Sequence, residues 1–338
     1  MVVVPILVVG GVGLFFGIGL GIASRKLTVH VDPRIDQVLG LLPGANCGAC
    51  GYPGCSAFAK AVVEGQAEPS GCVPGGAKAA HDIADLLGIE AGQAEPLMAV
   101  VHCKGGNAEA KERAEYEGIA DCQAAVLAGN AGKMCPDGCL GLGTCVRVCP
   151  FDALSINTNG VAVVDPEKCT GCGKCVSVCP RNLIELIPRL HKIFLACNNH
   201  DRGAKVKKYC TVGCTACTLC VKATPSGAVT MENNIPHLDY SGNETFVPAA
   251  HKCPQHCFVD LAKARPKVNI DTKCDGCGKC VEVCPVDAIS GEQGQRHVVN
   301  KDKCIGCGIC LDVCPVHAIS LWGGLGYSPD DKTRRQRR

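Results

Sequence analysis

Aromatic residues are scarce. Phe, Tyr and Trp make up 4% of the 338 residues, with a single Trp. The length suits two or three ordinary domains, and ordinary cores of that size hold more aromatic side chains. Charge of one sign is also lacking. The formal net charge is +2, and no basic stretch is interleaved with aromatics that could stack on bases, so nucleic-acid binding has no support. The sequence holds no nucleophile–base constellation and no Gly-rich nucleotide loop beside a strand–helix signal. No catalytic residues and no substrate pocket are therefore expected. Between Val2 and Ala23 there is no charged residue.

What the chain has instead is cysteine and glycine, 29 and 41 residues respectively. The cysteines recur in a fixed spacing. Cys169, Cys172, Cys175 and Cys179 are followed by Pro180. The pattern returns at Cys274, Cys277, Cys280, Cys284 and Pro285, and again at Cys304, Cys307, Cys310, Cys314 and Pro315. A degraded copy has Cys214, Cys217 and Cys220, then Thr224 and Pro225. The spacing C-x2-C-x2-C-x3-C-P is that of bacterial ferredoxins, in which three thiolates hold one 4Fe–4S cluster and the fourth reaches the other cluster of a pair. A disulfide scaffold is also Cys-dense, but 29 is odd and three Cys at this spacing make poor bridges. Zinc prefers C-x2-C pairs set well apart. A cluster at the centre of a small module also explains the missing aromatics, because the inorganic group and its thiolates fill the core and couple folding to metal.

The uncharged stretch Val2–Ala23 is long enough, as a helix, for roughly 33 Å, against a bilayer core of about 30 Å. A cleaved signal peptide needs a positive start, and none precedes Arg25 and Lys26. An uncleaved anchor over residues 1–26 is expected, with the bulk of the chain on the cytoplasmic side of a prokaryotic inner membrane. Gly13, Gly17 and Gly21 recur on one helix face, a spacing that lets another membrane helix approach.

The fold expected is α+β: a single transmembrane helix, a small α-rich four-Cys Fe–S module over 27–90, a connector over 91–134, and tandem ferredoxin-like modules. The first module offers Cys47, Cys50, Cys55 and Cys72, with helices expected over 56–64 and 77–87 and with zinc as the rival to a cluster. The module at 135–190 opens on a stretched run, Cys135, Cys139, Cys145, Cys149. By the exchange rule Cys135, Cys139, Cys145 and Cys179 hold one cluster, and Cys149, Cys169, Cys172 and Cys175 the other. The module at 191–265 repeats it with two losses, Thr224 for the last Cys and no triple before Cys253. One cluster is expected there, on Cys214, Cys217, Cys220 and Cys253, with Cys210 a rival for an early position. The module at 266–322 pairs Cys274, Cys277, Cys280 with Cys314, and Cys304, Cys307, Cys310 with Cys284. The total is about six clusters on 24 Cys, leaving Cys103, Cys122, Cys197, Cys210 and Cys257. Residues 323–338 form a basic tail expected to be disordered.

The order of motifs resembles the B subunit of the Rnf complex: an uncharged start, the loop from Cys47 to Cys55 with Cys72, the stretch Tyr116 to Cys122, the stretch Gly138 to Cys145, then ferredoxin repeats. The resemblance spans nearly the whole chain. It implies an electron-transfer component of a membrane ferredoxin:NAD oxidoreductase that moves Na+ or H+, with soluble ferredoxin as donor and other Rnf-type subunits as partners. A membrane-tethered polyferredoxin serving another reductase, including an Rsx-like system, is the alternative. Shorter family members have one two-cluster module; this chain adds modules after residue 190, and the cluster lost at Thr224 departs from the doubled pattern. Two basic runs, Arg202, Lys205, Lys207, Lys208 and Lys263, Arg265, Lys267, would suit an acidic ferredoxin, or are solvated faces.

Overall fold

The computed structural model describes residues 3–26, 32–92, 95–129, 132–224, 227–242, 245–262 and 265–322, with side chains of the first stretch described for 10–23. The basic tail at 323–338 and Lys263 lie outside the described residues. Helix α1 (Val3–Lys26) carries exposed Leu14, Phe15, Phe16 and Leu20. A Cβ built on Gly13, Gly17 or Gly21 meets nothing within 4 Å. Among the described residues no helix is long and apolar enough to cross a membrane. The described side chains of α1, residues 10–23, rise only about 21 Å at 1.5 Å per residue.

The four-Cys module is a helical cup. α2 (Pro33–Leu41) starts where the Asp32 carboxylate accepts the Arg34 N–H at 2.9 Å, with Pro at the first turn. α3 (Cys55–Val63) and α4 (Gly76–Leu87) lie close to the spans read from the sequence, and α4 stops at Gly88 in the left-handed conformation. Val38, Phe58, Val62 and Ile83 form its core. The buried stripe of α4 is Ala79, Ala80, Ile83 and Ala84, while Leu86 is 40% exposed.

The rest is one frame built three times. In the first ferredoxin module β1 (Leu97–Val101) pairs antiparallel with β4 (Ile184–Pro188), Ala99 facing Leu186. Between them lie α5 (Cys122–Leu127), α6 (Thr144–Arg147), the hairpin β2 (Leu154–Ile156) with β3 (Ala162–Val164), and α7 (Lys174–Val178). The strand β1 comes from the stretch expected to be a connector. Met98 and Val100 are buried, so burying that face draws the segment into the module.

The second module repeats the plan. β5 (Ile193–Leu195) pairs with β8 (Phe258–Asp260) around α8 (Gly203–Tyr209), α9 (Leu219–Lys222), the hairpin β6 (Val229–Glu232) and β7 (Ile235–Leu238), and α10 (Val247–Lys252). The third pairs β9 (Lys267–Ile270) with β12 (Ile319–Trp322) around α11 (Lys279–Glu282), the hairpin β10 (Ile289–Ser290) and β11 (Val298–Val299), and α12 (Ile309–Asp312). The modules touch: Cys307, Ile305 and Ile309 of the third pack into the core of the second.

Candidate iron–sulfur centres

Two local units carry the thiols. In the first, a left-handed residue starts a one-turn helix whose second residue is the third Cys of the run. Gly143, Gly173, Gly278 and Gly308 play that part at φ 75° to 78°, ahead of Cys145, Cys175, Cys280 and Cys310. Thr218 plays it before Cys220 at φ 61°. In the second unit, the Cys before Pro is followed three residues later by a left-handed residue, Asp152, Asn182, His256, Asp287 or His317. The fourth residue then donates its N–H back to the Cys sulfur: Ala153 to Cys149 at 3.4 Å, Leu183 to Cys179 at 3.4 Å, Cys257 to Cys253 at 3.4 Å, Ala288 to Cys284 at 3.2 Å, Ala318 to Cys314 at 3.3 Å. Such N–H···S bonds favour the thiolate and help set a cluster's potential.

These units aim thiols at shared hollows. Cys47, Cys50, Cys55 and Cys72 line one of about 320 Å³. Cys284, Cys304, Cys307 and Cys310 line another of about 320 Å³. Cys214, Cys217, Cys220 and Cys253 line a third of about 310 Å³, with Cys257 beside them. Cys149 lies with Cys169, Cys172 and Cys175, since its charge is among those raising Cys175 after burial itself, which pushes that thiol up to about 12. Cys274, Cys277 and Cys314 similarly surround Cys280. All described thiols are free. Among the described residues no three His, Cys, Asp or Glu are placed to hold a single metal ion; the thiols face one another across open space.

Cys135 is placed differently from its chain order. Cys145 is surrounded by Cys139, Cys122, Cys179 and Cys175. Cys135 instead lines a hollow of about 380 Å³ with Cys103, Cys197 and Cys210. No short spacing joins Cys103, Cys197 and Cys210, so the sequence alone gives them no common site.

The second module shows what replaces a lost centre. Counting back from Cys253 by the motif spacing, Phe246 and Ala249 stand where the second and third thiols would be. Phe246 is 2% exposed and stacks edge-on with Tyr240 at 5.4 Å, with His191 close by. Thr224 is buried too, its hydroxyl donating to the Cys220 carbonyl at 3.1 Å. Cys257 changes the thiols beside it: its thiol donates to the Val212 carbonyl at 3.3 Å, its N–H donates to the Cys253 sulfur, and its closeness pulls the Cys253 thiol down to about 6. Burial drives Cys310 up to about 12.

The basic runs are partly occupied. Lys205 pairs with Asp201 at 2.7 Å and Arg265 with Asp260 at 2.7 Å. Lys267 donates to the Cys304 carbonyl. Lys207 and Lys208 are exposed on α8.

Four-thiol hollows, glycine-rich loops and N–H···S bonds on a repeated strand–hairpin frame define a tandem ferredoxin, and its cofactors are 4Fe–4S clusters. A family model for a putative Fe-S cluster matches residues 42–74, and one for a 4Fe-4S dicluster domain matches 132–186 and 269–321. The B subunit of the Na(+)-translocating ferredoxin:NAD(+) oxidoreductase complex of Acetobacterium woodii is 44% identical over 76% of this chain and 77% of its own. The B subunit of the ion-translocating oxidoreductase complex of Methanosarcina acetivorans is 37% identical over 84% and 96%. The B subunit of the proton-translocating ferredoxin:NAD(+) oxidoreductase complex of Clostridium ljungdahlii is 42% identical over 71% and 85%. The chain belongs to this family, the B subunits of Rnf-type ion-translocating oxidoreductase complexes.

Proposed function

We propose that the chain is the electron-input component of a membrane complex that oxidises reduced ferredoxin, reduces NAD and moves Na+ or H+. The observation that carries the reading is the succession of adjoining four-thiol sites. Cys172 of the first ferredoxin module has Cys47 of the four-Cys module among its nearest charges, and Cys310 has Cys280 of the neighbouring site. Bound 4Fe–4S clusters supply one-electron carriers whose potentials follow charge, hydrogen bonds to sulfur and exposure.

The residues divide that work. Ligation falls to Cys47, Cys50, Cys55 and Cys72; to Cys149, Cys169, Cys172 and Cys175; to Cys214, Cys217, Cys220 and Cys253; to Cys274, Cys277, Cys280 and Cys314; to Cys284, Cys304, Cys307 and Cys310; and to a group around Cys139, Cys145 and Cys179. Backbone N–H groups of Ala153, Leu183, Cys257, Ala288 and Ala318 steady the sulfurs. Val268, Ile289 and Ile309 exclude water at the site of Cys284. The uncharged residues 2–23 anchor the chain, and the open Gly13, Gly17, Gly21 face takes a partner helix. The segment has no ionisable side chain, so ion passage belongs to partner subunits. Lys207 and Lys208 steer an acidic ferredoxin.

The test uses membranes carrying the whole complex. Cys175→Ala should abolish ferredoxin-dependent NAD reduction, and deletion of residues 2–26 should release the chain from the membrane. Undiminished activity in the first variant, or a membrane-bound chain in the second, would overturn the reading.

A further inference from the structure

The hollow that holds Cys135 sits between the first and second ferredoxin modules. Its four thiols form two equivalent pairs. Cys103 follows β1 by two residues and Cys197 follows β5 by two; Cys135 precedes Cys139 by four residues and Cys210 precedes Cys214 by four. Each module thus contributes the same two positions. The third module has Thr272 and Ile270 there.

The site is built like the others. At about 380 Å³ it is close in size to the hollows of 310 to 320 Å³ lined by the motif cysteines. Cys103 accepts the Cys139 N–H at 3.3 Å, and Cys197 accepts the Cys214 N–H at 3.2 Å. Asn199 donates its amide to the Cys135 sulfur at 3.7 Å. Gly105 lets the backbone pass so near that a Cβ there would lie 2.9 Å from the Cys210 sulfur. Backbone bonds stitch the two modules round it: Lys111 N–H to the Tyr209 carbonyl at 2.8 Å and Thr211 N–H to the Glu109 carbonyl at 3.0 Å. Val206 and Tyr209 of α8 close it with apolar surface.

Positive charge is buried beside the thiols. Lys133 is 6% exposed, and its ammonium donates to two carbonyls, Gly105 at 2.9 Å and Cys139 at 2.6 Å. Arg181 bonds the Cys135 and Gly138 carbonyls, and its second terminal nitrogen is buried with no hydrogen-bond partner among the described residues. A buried cation calls for a compensating anion. A 4Fe–4S cluster on four thiolates is an anion of the right size.

The geometry points to a seventh 4Fe–4S site held by Cys103, Cys135, Cys197 and Cys210, with Cys122 taking the fourth place beside Cys139, Cys145 and Cys179. The inference rests on the reading of this chain as a 4Fe–4S electron carrier. Cys122 is suited to its place: α5 starts there, its N–H bonds the Thr144 hydroxyl at 2.8 Å, and Asp121 caps the turn while binding Thr144 and Arg147. Every cysteine but Cys257 then has a ligand role. The site also fills a gap, because Cys139 adjoins Cys103 on one side and Cys214 adjoins Cys197 on the other. It stands between the two-centre module and the one that lost a centre.

Iron, acid-labile sulfide and zinc are measured per full-length chain purified anaerobically, for the wild type, Cys122→Ala, Cys135→Ala and the double variant, with EPR after reduction. Seven four-iron clusters give about 28 irons. Each single variant should alter one cluster signal, and the double variant should alter two and lose up to about eight irons. A wild-type count near 24, zinc in place of the missing irons, or a Cys122→Ala chain indistinguishable from wild type would overturn the inference. The wild-type count stands even if a variant fails to fold. None of these counts involves ferredoxin or NAD, so failure of the proposed function leaves them unchanged.

Discussion

The second and third ferredoxin modules share a frame and differ in what fills it. Both pair a first strand with a last strand, β5 with β8 and β9 with β12, around a central hairpin. In the third, eight thiols fall into two groups of four, one of them round a hollow. In the second, Phe246, Ala249 and Thr224 occupy three positions where thiols would stand, and all three are buried. A cluster and an aromatic side chain are thus alternative cores for one backbone. The first couples folding to metal; the second holds by apolar burial.

The largest effect that would break this comparison is metal removal. Anaerobic chelation of iron should leave residues 266–322 open to limited proteolysis before residues 227–262. Equal cleavage of both would mean that Phe246 does not substitute for a cluster. Next is Phe246→Ala, which should destabilise the chain by about 3–5 kcal/mol through the cavity it leaves, read by denaturant unfolding of the iron-loaded protein, with iron content unchanged. A cost below about 1 kcal/mol would show that the ring is not a core element.

Smaller effects sharpen the comparison at the left-handed positions. Gly276 and Gly306 cannot take a side chain easily, since a Cβ would lie 2.4 Å from the Gln295 nitrogen and 2.2 Å from the Pro266 carbonyl oxygen. The second module has Ala216 and Thr218 at the equivalent left-handed sites, φ 55° and 61°. A left-handed residue with a Cβ costs roughly 1–2 kcal/mol, so Thr218→Gly should stabilise by about 1 kcal/mol and raise the melting temperature. Gly278→Thr should do the reverse. The smallest effect concerns Cys257, whose thiol lies against Cys253. A polar S–H group beside the sulfurs stabilises a reduced, more negative cluster, so Cys257→Ala, which keeps the backbone N–H bond to Cys253, should lower the midpoint potential of that centre alone in a redox titration.

Much of the molecule is legible in the sequence where partners are close along the chain. The x2-x2-x3 spacing groups Cys304, Cys307, Cys310 with Cys284, and the structure places those four round one hollow. The helices expected over 56–64 and 77–87 form over 55–63 and 76–87. What is not legible depends on distant partners. β1 reads as connector because its mate, β4, lies some eighty residues on. Cys103, Cys197 and Cys210 carry no spacing signal, since the contact that unites them is between modules. The one available clue is the equivalence of Cys135 and Cys210 across the repeat, which looks like rivalry for one kind of position and instead marks a shared hollow. Leu142, standing where a motif thiol would be between Cys139 and Cys145, is the sign that a remote Cys must complete that group.

The most direct test of the electron-input role is electron uptake from the donor itself. Oxidised full-length chain, loaded with its clusters, is titrated anaerobically with reduced ferredoxin while the visible absorbance of both is followed. Rapid bleaching of the chain as ferredoxin is reoxidised is the expected result, slowed by added salt as exposed Lys207 and Lys208 are screened. Ferredoxin that stays reduced in the presence of the cluster-loaded chain would contradict it.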